Sequence, residues 1–120
     1  PAPAQVEEVE LSERIYFDSG VHSIRHDQRR VVEEMCELVR TRPNVIVRVV
    51  GYADDRGSPA FNQRLSSNRA GTIAQALVRC GLHTDRIEAV GRGQRDRTCE
   101  EATDACRQRN RRVHFFLVEP

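Results

Sequence analysis

The sequence predicts an α/β sandwich, ordered β-α-β-α-β-β, in which two helices cover one face of a mixed four-stranded sheet. Two apolar repeats at helical spacing, with a run of β-branched residues between them, carry that prediction. The 120 residues leave room for one core and not for two.

Each element follows from local chemistry. Glu10 to Phe17 partly alternates apolar and polar residues and stops at the turn-prone Asp18-Ser19-Gly20, which reads as a first strand. Ser23 offers an N-cap for a helix in which Val31, Val32, Met35, Leu38 and Val39 share one face, ending at Pro43. Val45 to Val50 is β-branched almost throughout and predicts a central strand. Gly51 to Ser58 holds two glycines, Asp54, Asp55 and Arg56, the composition of a functional loop. Ser58-Pro59 is a cap followed by proline at the first helical position. The stripe Phe61, Leu65, Ile73, Leu77 then predicts a buried helical face running to Cys80-Gly81, where glycine can end the helix. Ile87 to Val90 reads as a short strand before Gly91-Arg92-Gly93, and Val113 to Val118 as the last strand. Between them the polar segment around Cys99 and Cys106 is expected to be a loop. Pro1-Ala2-Pro3-Ala4-Gln5 reads as a semi-rigid linker, so residues 1–10 are expected to lead to an upstream anchor and 11–120 to form the domain.

Composition narrows the function. Apolar residues at 38% with 31% charged fit a soluble globular chain, and no run approaches the roughly 20 apolar residues of a membrane helix. Any membrane link is expected through the upstream anchor. The net charge is +1, and arginine supplies every basic residue. Arg107, Arg109, Arg111 and Arg112 crowd together as a phosphate-binding surface would. Four Phe, two Tyr and no Trp offer no stacking platform, so no nucleic-acid partner is expected.

Cys99 and Cys106 are candidates for a local disulfide in an oxidising compartment. Cys36 falls on the apolar face of the first helix and reads as a small buried residue; pairing with Cys80 would require the two helices to pack side by side, and stays open. No Cys-x-x-Cys pair and no His at finger spacing point to zinc, and His22, His26, His83 and His114 are scattered. No metal or cofactor is expected.

One residue conflicts with its surroundings. Arg69 lies four positions from both Leu65 and Ile73, inside the buried stripe. A desolvated guanidinium needs a partner, either a carboxylate of the protein or one of a ligand. Asn62 projects from nearly the same face, and Asp54 and Asp55 in the preceding loop supply negative charge near a helix start. Such a cation and anion flanking one pocket would suit a zwitterion, with Arg69 on its carboxylate and an aspartate on its ammonium.

Gly51-Tyr52-Ala53-Asp54-Asp55-Arg56-Gly57-Ser58, continuing through Phe61-Asn62, Leu65-Ser66 and Arg69-Ala70, resembles the signature of the OmpA-like family. Asn110-Arg111-Arg112-Val113 resembles its second signature, and the resemblance covers residues 11 to 118. It implies the fold of the OmpA C-terminal domain and a periplasmic, non-enzymatic module that binds peptidoglycan, a family role shared by peptidoglycan-associated lipoproteins and flagellar stator proteins. It further implies that Asp54 takes the ammonium and Arg69 the carboxylate of meso-diaminopimelate in the stem peptide. By the same resemblance Tyr16, Phe17, Asp18 and Ala53 border the pocket, while Asn62, Leu65 and Arg111 shape or support it. Two positions depart from the family pattern: Tyr52 stands where histidine is usual, and Ser19-Gly20-Val21 replaces a phenylalanine, aspartate and serine run. Two other classes remain: an envelope protein-interaction module of the same fold, and a hydrolase using Asp54 and Asp55 as a carboxylate pair.

Overall fold

The computed structural model describes residues 7–119; the Pro/Ala opening expected as a linker lies outside them. Strand β1 spans Glu7–Tyr16, helix α1 Arg29–Arg40, strand β2 Ile46–Gly51, helix α2 Pro59–Arg79, strand β3 Ile87–Gly91, helix α3 Asp104–Asn110 and strand β4 Arg112–Glu119. The strands form one sheet in the order β1-β4-β2-β3. β4 runs antiparallel to both β1 and β2, whereas β2 and β3 are parallel because α2 carries the chain back between them. Residues 7–10, expected at the end of the linker, instead begin β1, where Glu7 pairs with Glu119.

Strand alternation decides which face each side chain meets. Val47 and Val49 of β2 and Val113, Phe115 and Leu117 of β4 join Ile15 beneath Val32, Met35 and Val39 of α1 and Ala70, Ile73 and Leu77 of α2. The alternate positions form the sheet's other face. There Arg48 bridges Glu8 at 2.6 Å and Glu88 at 3.1 Å.

The helix boundaries follow their caps. Ser58 Oγ accepts the Phe61 N–H at 3.1 Å at the start of α2. At its end the Gly81 N–H reaches the Val78 carbonyl and the Leu82 N–H the Leu77 carbonyl, with Gly81 at φ 112°; this left-handed closing turn favours glycine. Ser23 does not cap α1. A 3₁₀ turn at His26–Gln28 precedes that helix, which starts only at Arg29. Phe61, expected in the buried stripe, is 43% exposed, because the buried face of α2 runs through Asn62, Leu65, Ser66, Arg69 and Ile73 and Phe61 lies to one side of it.

The structure adds a third helix to the two predicted. α3 has too few apolar residues for a periodic signal, but Thr103 Oγ1 accepts the Cys106 N–H at 3.1 Å and caps it. Both cysteine pairs are disulfides, with Cα–Cα separations of 6.5 Å for Cys36–Cys80 and 5.8 Å for Cys99–Cys106. The first links α1 to the end of α2, so Cys36 is a buried cross-link and not a free packing thiol. Its longer loop makes it the stronger staple, by chain entropy about 4 kcal/mol against about 2.5.

Gly51 and Gly91 are partners in the β2–β3 ladder, and both lie directly under α2. A Cβ on Gly51 would sit 2.1 Å from the Ser66 carbonyl oxygen, and one on Gly91 2.4 Å from the Ser67 nitrogen. Glycine at both places lets the middle of α2 descend onto the strand ends, and that descent brings Arg69 against the loops.

Candidate functional site

Arg69 is fully buried on α2. Its Nε donates to the Val21 carbonyl at 2.9 Å, Nη1 to the Tyr52 carbonyl at 3.0 Å and Nη2 to the Asp18 carbonyl at 3.0 Å. The Phe17 ring lies 5.2 Å from the guanidinium carbon. Within the protein its partner is not the expected carboxylate: among the described residues Arg69 makes no ion pair, and three backbone oxygens hold it. Burial, with the nearby Arg111 charge, lowers its pKa to about 10 against the opposing pull of Asp54, so the group stays charged at neutral pH. A guanidinium carries five N–H donors; one on each terminal nitrogen is uncommitted.

Asp54 is held separately. Its Oδ2 accepts from Arg111 Nη1 at 3.1 Å and its Oδ1 from the Arg56 backbone N–H at 2.9 Å. Arg111 is itself fixed by its Nε, which donates to the Phe17 carbonyl at 2.9 Å. A carboxylate offers about four acceptor sites, so Asp54 retains capacity for a further donor. Between Asp54 and Arg69 opens a cavity of about 120 Å³, whose walls include Asn62 and Leu65. Asn62 is buried and donates to Gln94 Oε1 at 3.0 Å.

The structure therefore brings Asp54, Asn62, Leu65 and Arg69 to one cavity, with Phe17, Asp18 and Arg111 as direct supports. Ala53 sits behind it, its N–H bonded to the Gly93 carbonyl at 2.8 Å. Tyr16 lies elsewhere, in a surface depression with Arg25, Gln28, Gln108 and Arg109, because strand alternation turns it away from Phe17. Ser19, Gly20, Arg56, Gly57 and Phe61 complete the lining. The Ser19-Gly20-Val21 departure points to the loop that borders the pocket, whereas the sequence does not assign Arg56, Gly57 and Phe61 to it.

Both family departures now have locations. The Tyr52 ring packs on the sheet's other face, 3.8 Å from the Arg112 guanidinium and 5.0 Å from the His114 ring, so only its carbonyl reaches Arg69. Ser19-Gly20-Val21 borders the cavity directly; Ser19 Oγ accepts from Arg56 at 3.1 Å, and Val21 supplies the carbonyl on Arg69 Nε.

Three of the four crowded arginines near the C-terminus are committed within the protein and do not present a shared cationic surface. Arg107 pairs with Asp55 at 3.0 Å, Arg111 with Asp54, and Arg112 is buried over Tyr52. The same pairs remove the hydrolase geometry, since each adjacent aspartate is tied to its own arginine. The Arg107 hydrogen bond holds the Asp55 carboxyl below its ordinary value, the opposite of a general acid. Cys99, Glu101 and Cys106 converge as metal ligands might, but the disulfide removes both thiolates.

A sequence profile of the OmpA family matches residues 16–111. Outer membrane porin F of Pseudomonas fluorescens is 37% identical over 92% of this chain and 33% of its own length. A peptidoglycan-associated lipoprotein of Agrobacterium fabrum is 28% identical over 98% of this chain and 66% of its own. The chain thus spans about a third of the porin F length. Among solved structures, the peptidoglycan-associated lipoprotein from Burkholderia pseudomallei superposes with a TM-score of 0.84 at 23% identity, over 87% of this chain and 88% of that one. The C-terminal domain of Helicobacter pylori MotB superposes with a TM-score of 0.79 at 20% identity, over 87% and 83%.

Proposed function

The chain belongs to the OmpA family, and from that premise we propose that it binds peptidoglycan without covalent chemistry, through the diaminopimelate of the stem peptide, and so tethers the outer membrane or an envelope complex to the wall. It is a binding module and not an enzyme. The observation that carries the reading is the cavity between a guanidinium with two uncommitted N–H groups and a carboxylate that does not neutralise it. Arg69 takes the ligand carboxylate through paired N–H donors, and Asp54 takes the ammonium. Asn62 orients the polar edge and Leu65 packs on the methylenes. The relative that is a peptidoglycan-associated lipoprotein by name supports a wall partner, and the outer-membrane name of another supports an envelope setting. A periplasmic location, reached by the Pro/Ala segment from an anchor, is part of the proposal. One such pocket binds modestly; several copies facing a polymeric wall hold firmly through effective concentration.

The purified domain is expected to pellet with diaminopimelate-type sacculi and not with lysine-type sacculi. Asp54→Asn keeps the shape and removes the charge, and should weaken binding about tenfold or more, the loss of one charge-assisted contact. Undiminished pelleting of a folded Asp54→Asn protein would sink the assignment, and failure of the wild type to pellet would turn attention to an envelope protein partner.

A further inference from the structure

The cavity at Arg69 does not end at Leu65. A second depression of about 250 Å³ shares Gly20, Phe61 and Leu65 with it and continues along α2 to Arg64 and Asn68, with His22 also in its lining. His22 is anchored there, its Nδ1 2.9 Å from Thr72 Oγ1. Arg64 is exposed and, among the described residues, makes no hydrogen bond or ion pair. The arginines around the first cavity differ: Arg56, Arg107 and Arg111 each hold an aspartate of this chain. Phe61, 43% exposed, belongs to the lining shared by the two depressions and offers an apolar surface to whatever crosses between them.

A ligand whose zwitterionic end fills the first cavity must leave it along an open wall, and this groove is contiguous with it and carries positive charge. We propose that the groove is an extension subsite for an acidic stem peptide, in which Arg64 holds the free carboxylate of the residue adjoining diaminopimelate while the intervening chain lies on Phe61. This rests on the reading of the Arg69 cavity given above and adds a discrimination that the cavity alone lacks: a peptide with a free carboxylate at that neighbouring residue is preferred over its carboxamide.

Calorimetric titration with three soluble probes tests it: free meso-diaminopimelate, a tripeptide ending in diaminopimelate whose preceding residue bears a free carboxylate, and the same tripeptide as the carboxamide. The wild type is expected to bind the acid tripeptide roughly fivefold more tightly than the carboxamide, the size of a partly exposed ion pair, with the difference shrinking at high salt. Arg64→Gln should erase that difference and bind free diaminopimelate as the wild type does. Equal wild-type affinity for acid and carboxamide, or a preference that survives in Arg64→Gln, overturns the subsite while leaving the cavity assignment standing. Failure of the wild type to bind any of the three overturns both.

Discussion

Two arginines are buried on opposite sides of one sheet, and they are built alike. Arg69, on the helical side, donates to three carbonyls and lies near Phe17. Arg112, on the other side, donates to the Asn110 carbonyl at 3.2 Å, the Asp96 carbonyl at 2.7 Å and His114 Nε2 at 2.9 Å, and lies over Tyr52. Burial lowers the pKa of both. Only Arg69 borders a cavity with a carboxylate set apart across it. Burial and partner type therefore do not separate the two arginines; the cavity beside Arg69 does, and the ligand-binding role proposed for it rests on that difference.

Truncating each arginine gives the largest expected effect. Arg69→Ala and Arg112→Ala each remove a buried side chain and leave three acceptors unbonded, at least one of them buried, and both should lose about 3 kcal/mol or more in urea unfolding. In sacculus pelleting they should part: Arg69→Lys, which keeps the charge but not the fork, is expected to lose binding while folded, and Arg112→Lys to retain it. Retained binding in Arg69→Lys together with loss in Arg112→Lys would reverse the two roles.

A smaller effect is confined to the Arg112 side. Burial, with the Arg14 and Arg112 charges, lowers the His114 pKa to about 3. Glu10 lies 2.9 Å from His114 Nδ1, but it is half exposed and shares its charge with Arg14, so it does not reverse the shift. The unfolded chain, with an ordinary histidine near 6.5, takes up the proton first. The stability from neutral His114 is thus fully present above about pH 6.5 and is lost as pH falls toward 3, by about 1–2 kcal/mol between pH 6.5 and 5. His114→Gln should flatten that part of the stability–pH curve; an unchanged slope would show that the imidazole is not held neutral.

The smallest effect tests the Tyr52 departure. Tyr52→Leu removes the ring beneath Arg112 and should cost about 1 kcal/mol of stability, with sacculus binding unchanged, because Arg69 uses only the backbone carbonyl at this position. A binding loss without a stability loss would place the ring's influence on the cavity side.

Much of this is legible in the sequence. The Ser58-Pro59 start and Gly81 end of α2 are local chemistry, as are the β-branched β2 and the helical spacing that buries Arg69. Period-2 alternation also puts Arg112 and His114 on the face opposite Val113 and Phe115, while their meeting with Tyr52 is a matter of strand pairing. α3 was not legible, because seven polar-rich residues have no periodicity and are held by a cap, a disulfide and polar contacts to distant loops. The parting of Tyr16 from Phe17 follows from strand alternation alone, since neighbours on a strand face opposite sides.

The sequence by itself determined the order of every element but α3, the two longer helices' apolar faces and the presence of a charge that had to be answered, since these depend on spacing along the chain and on desolvation at a single position. Only the tertiary structure decided who answers it. Which oxygens surround a guanidinium depends on loops far apart in sequence, at Asp18, Val21 and Tyr52, meeting at one point of α2. That meeting exists because Gly51 and Gly91 leave no Cβ to keep the helix off the sheet, a steric fact invisible until the two strands are paired.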